Sequence, residues 1–357
     1  MSRHQTFDAV VDCGAGRQLR VGAPCFVAAE IGINHNGDLT LAREMIRAAA
    51  RAGADGVKFQ NYRTEDFLSD HQLRYRYEQN GVQHDVSQFE MFKRCELDEA
   101  ALAQLAGWCR EEGVVFFSTP TSDSTLQEAV RAGASLIKNG SDYLTHLPLI
   151  RAMARTGLPT VLSTGMATAG EIDGAVAAFA EAGGHALVLL HCTSAYPTPD
   201  HEVNLARIPA LAARYGCLVG FSDHTWGIEA AMGAVALGAV FVEKHFTIDK
   251  QLPGPDQAFS SDEAELRALV EGIRRFERQR GSSAPGPTPS EQEGRQQFRL
   301  SCVAARDLPA GHLLTLDDIA FRRPGDGLPP REAPSLVGRR LRQALSRGDR
   351  LVEAQLQ

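Results

Sequence analysis

Almost every β-rich run of this chain up to residue 245 ends in side chains that can hold an anion or move a proton. Glu30 closes FVAAEI and is followed by Asn34, His35 and Asn36, while DGVKFQ carries Lys58 and Gln60. VVFF runs into Ser118 and Thr119, SLIKN carries Lys138 with Ser141 and Asp142 beyond it, and PTVLS leads to Ser163 and Thr164. ALVLLH ends in His191, followed by Thr193, Ser194 and Tyr196; CLVGF precedes Ser222, Asp223 and His224; the last run carries Glu243, Lys244 and His245. Taken singly, such a lysine is a solvated charge and such a serine a helix cap. Taken together, two lysines among several hydroxyls supply the charge and directed donors that a phosphate and a carboxylate need, so the set fits a small dianionic substrate.

His224 and His245 end adjacent runs. Two neutral imidazoles with other positions left to oxygen ligands suit Mn2+, Co2+ or Zn2+ acting as a Lewis acid; the alternative is a hydrogen-bonded structural pair. Glu30 lies in the largely apolar AAEIGINHNG, where desolvation favours a proton-accepting role near neutral pH. Capping the next helix is its other reading, but Asp38 fits that position better.

These residues need a frame that brings strand ends together. The apolar runs at 26–31, 55–60, 114–118, 135–139, 159–163, 186–191, 217–221 and 239–244 predict strands. Helical patterns follow at 39–52, 98–112, 123–132, 146–156, 170–183, 204–214, 227–236 and 263–278. Gly53, Gly113, Gly133 and Gly238 stand just before the next strand, where a helix C-terminus calls for positive φ. Eight strand-helix units over about 250 residues predict a (β/α)8 barrel with its site at the strand C-termini. An open doubly wound sheet is the alternative, but no glycine-rich dinucleotide fingerprint follows the first strand.

The barrel is expected over residues 1–280. Residues 281–297, GSSAPGPTPSEQEGRQQ, read as a linker, and 298–357 as a small module of net charge +3 beside −10 on the rest of the chain. Overall, 37 Lys+Arg stand against 44 Asp+Glu. No general basic field exists to collect nucleic acid or anionic lipid, and no stretch is apolar enough for a membrane span, so a cytoplasmic enzyme is expected. The seven cysteines have no zinc-type spacing and read as buried reduced thiols, Cys192 as a packing residue.

The motifs AEIGINHNG (29–37), GADGVKFQ (53–60), FSTP (117–120) and LSTGMA (162–167), with LLHCTSAYPTP, GFSDHTWG, EKHFT and LPGPD in the second half, carry a resemblance over nearly the whole chain after about residue 20. It resembles the sialic acid synthase (N-acetylneuraminate synthase) family, with RRPGDG similar to that family's antifreeze-like SAF domain, a β-clip lid. The resemblance implies condensation of phosphoenolpyruvate with an N-acetylated hexose such as N-acetylmannosamine, in a homodimer whose small domains are swapped over the partner's site. Legionaminate, pseudaminate or spore-coat polysaccharide synthases, with other acceptors, are the near alternatives. It implies a phosphoenolpyruvate pocket of Lys58, Thr119, Lys138, Ser141, Ser163 and Ser222, with Ser194 where some members carry a phosphate-contacting Asn. His224 and His245 match the metal ligands, for Mn2+ first and Mg2+ or Co2+ otherwise. Glu30 matches the catalytic base, and Gln60, Tyr196, Asp256 and Arg323 match positions facing the sugar. The chain departs at Thr121, where Phe is common, and at KNGSDYLTH, which puts Asp142 and Tyr143 where KIGSGE-like runs have Gly and an acid. Outside this class stand a barrel aldolase using Lys58 or Lys138 as a Schiff base, and a sugar-phosphate binding protein without catalysis.

Overall fold

The computed structural model describes residues 6–79 and 81–357, and their contacts divide the chain into Met1–Arg280 and Gly281–Gln357. The first unit opens with a small hairpin, β1 (Val11–Asp12) and β2 (Gln18–Leu19), followed by two barrel strands, β3 (Phe26–Gly32) and β4 (Gly56–Asn61). A second hairpin, β5 (Arg74–Gln79) and β6 (Val82–Ser87), interrupts the pattern. The barrel resumes with β7 (Val115–Pro120), β8 (Ile137–Asn139), β9 (Thr160–Ser163), β10 (Leu187–Cys192), β11 (Leu218–Asp223) and β12 (Phe241–His245). These eight strands form a closed parallel barrel in chain order, β9 pairing with β10 and β12 with β3.

Each strand is buried on both faces, which is why it reads as a continuous Val/Ile/Leu/Phe run rather than an alternation. The helices between strands are amphipathic and cover the outside. Helix α1 (Leu39–Arg51) buries Ala42, Met45, Ile46, Ala48 and Ala49, and Asp38 caps it by accepting from the amides of Thr40 and Leu41. Gly53, Gly113, Gly133 and Gly238 all take positive φ at these helix ends.

One end of the barrel is plugged. Phe26 stacks on Phe241 with ring centroids 4.9 Å apart and meets Phe117 edge-on at 6.4 Å. Val11, Cys13 and Leu19 of the first hairpin join this cluster. Gly56 makes room for it, since a Cβ there would lie 2.6 Å from the Phe26 ring. With the N-terminal end of the strands filled by apolar side chains, the polar strand ends are left to line the opposite mouth.

The second unit has its own core, built from Cys302, Leu308, Leu314, Leu336, Leu341, Leu345 and Leu351 among others. Its hairpin pairs β13 (Ser301–Ala304) with β14 (Ile319–Arg322). Buried Asp318 ties its loops together by accepting from Arg306 at 2.7 Å, His312 at 2.8 Å and the Thr315 amide at 2.9 Å. The stretch read as a linker contains a short helix over Gln292–Phe298. Among the described residues no helix is long and apolar enough to cross a membrane, and all seven cysteines are buried and free.

Candidate active site

A cavity of about 380 Å³ opens at the C-terminal ends of the barrel strands. Strand register sets its floor: Glu30 of β3 pairs with Lys58 of β4, and Ser222 of β11 pairs with Glu243 of β12. Lys58 is 4% exposed and Lys138 2%. Burying two ammonium groups is costly unless each has a partner, and Glu243 serves both. Its Oε1 lies 3.3 Å from Lys58 Nζ and 3.8 Å from Lys138 Nζ, and accepts from Ser222 Oγ at 3.1 Å. Lys58 also pairs with Glu30 at 3.2 Å, and Lys138 donates to Ser163 Oγ at 2.7 Å.

The charges do not share burial equally. Burial would raise the Glu243 carboxyl, but the Lys138 and Lys58 charges override it and hold it below its usual range. Burial also opposes the charge on Lys58, yet Glu243 and Glu30 push its pKa up. Lys138 goes down, through burial first and then repulsion from Lys58. Glu30 is pushed up to about 7, because burial and the Glu243 charge outweigh the attraction of Lys58. Gln60 fixes it by donating to Oε1 at 3.1 Å. A carboxyl poised near neutrality can give or take a proton.

Above this floor several buried polar atoms have no hydrogen-bond partner among the described residues: Thr119 Oγ1, Ser194 Oγ and Glu243 Oε2. Native interiors rarely leave such atoms unpaired, so a ligand is their natural partner. Ser141 Oγ accepts from the Gly165 amide at 3.1 Å and reaches Cys192 Sγ at 3.5 Å. Cys192, read from sequence as packing, therefore lines the cavity, its sulfur 3.9 Å from His224 Nδ1.

The two histidines meet across the mouth, ring centroids 5.3 Å apart. His224 Nδ1 donates to the Thr193 carbonyl at 2.8 Å, which orients the ring. His245 Nδ1 is buried without a hydrogen-bond partner, 3.7 Å from an Asp256 oxygen. Burial and the positive charges of His224 and Lys58 hold His245 well below its ordinary pKa, so it is a neutral imidazole. An oriented imidazole beside a neutral one with an orphaned nitrogen fits a divalent metal. Among the described residues no three His, Cys, Asp or Glu side chains converge as a ligand set, so water and substrate oxygens would fill the other positions.

Of the fourteen residues given a site role from sequence, thirteen line this one cavity: Glu30, Lys58, Gln60, Thr119, Lys138, Ser141, Ser163, Ser194, Tyr196, Ser222, His224, His245 and Asp256. Arg323 belongs to the second unit, where its guanidinium sits over the Phe298 ring at 5.2 Å. Several other polar residues at the strand ends do not reach the cavity. Ser118 donates to Asn61 at 2.7 Å, His191 bonds the Val203 carbonyl at 2.6 Å, and Lys244 pairs with Asp223 at 2.8 Å. Two contributions were given no role from sequence. Glu243, named among the strand-end residues but given no role, is one, and the strand period of two could have assigned it to the site, since it puts Glu243 and His245 on one face and Lys244 on the other. The excursion between β4 and β7 is the other, and it supplies a wall of Tyr62, Phe67, Tyr75, Met91 and Phe92. Its Gln79 is anchored by donating to the carbonyls of Lys250 and Leu252, at 3.0 and 2.7 Å.

With this geometry in hand, residues 45–284 match the NeuB family and residues 301–357 the SAF domain. The chain belongs to the NeuB family. It is an enzyme, a synthase by family membership. The N,N'-diacetyllegionaminic acid synthase of Legionella pneumophila is 38% identical over 92% of this chain and 93% of its own. The human N-acetylneuraminate-9-phosphate synthase is 30% identical over 95% and 94%. Among solved structures, the N-acetylneuraminic acid (sialic acid) synthetase of Leptospira borgpetersenii is 33% identical. It covers 82% of this chain and 96% of its own, with a TM-score of 0.72.

Proposed function

We propose that this NeuB-family enzyme condenses phosphoenolpyruvate with the open-chain aldehyde of an N-acetylated hexose, forming a nonulosonate and releasing phosphate. One observation carries the reading: two lysines, each almost wholly buried, face a cavity whose hydroxyls at Thr119 and Ser194 lack partners among the described residues. That is a site for a compact multiply charged anion rather than for a neutral sugar alone.

In this reading Lys58 and Lys138 offset the phosphate and carboxylate charges, and Thr119, Ser141, Ser163, Ser194 and Ser222 donate to their oxygens. Gln60, Tyr196 and Asp256 orient the sugar so that its aldehyde carbon meets the enol carbon. A divalent metal held by His224 and His245, Mn2+ before Mg2+ or Co2+, would supply Lewis-acid polarisation of the aldehyde oxygen. Attack leaves a cation at C2 of the former enolpyruvate, stabilised by the carboxylates of the floor. Water adds there, Glu30 takes the proton, and the tetrahedral carbon expels phosphate to give the keto acid. The family resemblance supports one further part, a homodimer in which residues 298–357 serve as a lid through Arg323.

A second reading concerns the acceptor. Identity to the legionaminic acid synthase exceeds that to the human enzyme, 38% against 30%. This favours a hexose with two acetamido groups over N-acetylmannosamine. Phosphate release from phosphoenolpyruvate with an acceptor panel tests both. Release with no acceptor of either kind, or inactivation by borohydride in the presence of substrate, would overturn the condensation in favour of another activity or a Schiff base.

A further inference from the structure

The turn after β8 serves two directions at once. Ser141 sends its hydroxyl towards Gly165 and Cys192, while the next residue, Asp142, lies at the cavity mouth. The Asp142 carboxylate has no ion-pair or hydrogen-bond partner among the described residues and is exposed, so it is not held as part of the fold. Gly140 explains how it fits. The backbone there, at φ −68° and ψ 158°, suits any residue, yet a Cβ would lie 2.4 Å from Asp142 Oδ1. The same built Cβ would stand 3.8 Å from the Thr119 methyl, so both side chains border the space above the glycine. The missing side chain at Gly140 is thus space occupied by a carboxylate, on a backbone that does not itself require glycine.

A carboxylate accepts hydrogen bonds and donates none. In this cavity it repels an incoming phosphate or carboxylate, so it has no place in binding phosphoenolpyruvate. Its natural partner is an N–H or O–H of the other substrate. The remaining wall decides between them, because Tyr143 of the same turn and Phe67, Met91 and Phe92 of the β4–β7 excursion line the same cavity. A hydroxyl leaves that apolar wall unused, whereas an acetamido group offers an N–H to the carboxylate and a methyl to the aromatic side.

We infer that Asp142 is a specificity-determining residue that accepts the N–H of a second acetamido group on the hexose, with Gly140 kept small to admit its carboxylate. This rests on the condensation proposed above and adds the group that selects among its acceptors.

The test is steady-state kinetics of the full-length enzyme with a 2,4-diacetamido hexose and with N-acetylmannosamine, for the wild type, Asp142→Asn and Gly140→Ala. Asp142→Asn replaces half of the carboxylate with a donor. It should lower kcat/KM for the diacetamido sugar about tenfold or more, while the KM for phosphoenolpyruvate and kcat/KM for N-acetylmannosamine move less than about threefold. Gly140→Ala, which displaces the carboxylate without changing its charge, should shift the ratio in the same direction. An unchanged ratio in both variants, or equal losses with both sugars, overturns the assignment. A wild type inactive with every acceptor would instead overturn the condensation itself, so the two failures are distinguishable.

Discussion

Replacing Glu243 with Gln tests the charge balance on which the site rests. The substitution keeps shape and one acceptor for Ser222 but removes the carboxylate that, among the described residues, lies within 4 Å of both lysines, 3.3 and 3.8 Å away. Two charges about 4 Å apart interact by about 4 kcal/mol at an effective dielectric constant near 20, and desolvation cancels much of that. Removing one partner of a buried pair still costs about 3–5 kcal/mol, because the other charge stays behind without compensation. Glu30 offsets part of the loss at Lys58, 3.2 Å away, and is more fully ionised once the Glu243 charge that helps to raise its pKa is gone, but it makes no direct ion pair with Lys138 among the described residues. At roughly 2–4 °C per kcal/mol for a domain of this size, the barrel transition should fall by about 6–20 °C. An anion should repair the defect. Inorganic phosphate can sit against the two uncompensated lysines, no longer repelled by Glu243, so its affinity rises. At about 100 times its Kd it returns roughly 2.7 kcal/mol. Calorimetry of wild type and variant, with and without phosphate, reads both effects. A variant melting within about 1 °C of wild type, or gaining no more from phosphate than wild type does, would refute the shared-carboxylate argument.

Glu30→Gln should leave phosphoenolpyruvate binding intact while turnover falls about 10²-fold, measured by calorimetric titration and phosphate release. Glu30 must lose its proton to act as base and its pKa lies near 7, so wild-type kcat/KM should rise with pH through that value and level off above it. His224→Ala and His245→Ala should each abolish turnover, and chelation of the wild type should do the same reversibly on adding Mn2+; full activity after exhaustive chelation would remove the metal from the mechanism. Arg323→Ala should raise the acceptor KM with little change in that of phosphoenolpyruvate, and unchanged kinetics with every acceptor would end the lid role of this residue.

The barrel was legible because each of its parts obeys a local rule. VVFF, LVLLH and FVEKH are fully buried strands and read so. Asp38 and the four glycines mark helix ends in the only way their backbone allows. The excursion between β4 and β7 was passed over because RYRYEQ and VQHDVS alternate polar with aromatic or small residues and are largely half-buried or exposed, so no apolar run announces them. The Asn80–Gly81 dipeptide between them was the available signal for a hairpin. That Cys192, buried and free as read, also lines the cavity was hidden for a different reason: its neighbours there, Ser141 and His224, are 51 and 32 residues away along the chain, and only barrel closure brings them together.

The site divides along the line between strand and loop, and this separates its chemistry from its selectivity. Glu30, Lys58, Lys138, Ser163, Ser222 and Glu243 lie within strands, so hydrogen-bonded register fixes their relative heights and their partners are each other. Moving any one of them disturbs a buried charge network, which makes the floor resistant to change. Asp142, Tyr143, Tyr196 and Asp256 lie in the connections beyond the strand ends, where a side chain can change without unpairing a ladder or stranding a charge. The departure from the family's KIGSGE-like run falls in that second group and touches none of the first. Such a substitution can therefore alter which hexose is accepted while leaving the enolpyruvate chemistry below it as it was. The turn at Ser141–Tyr143 is where the two meet, one residue facing the floor and the next facing the mouth.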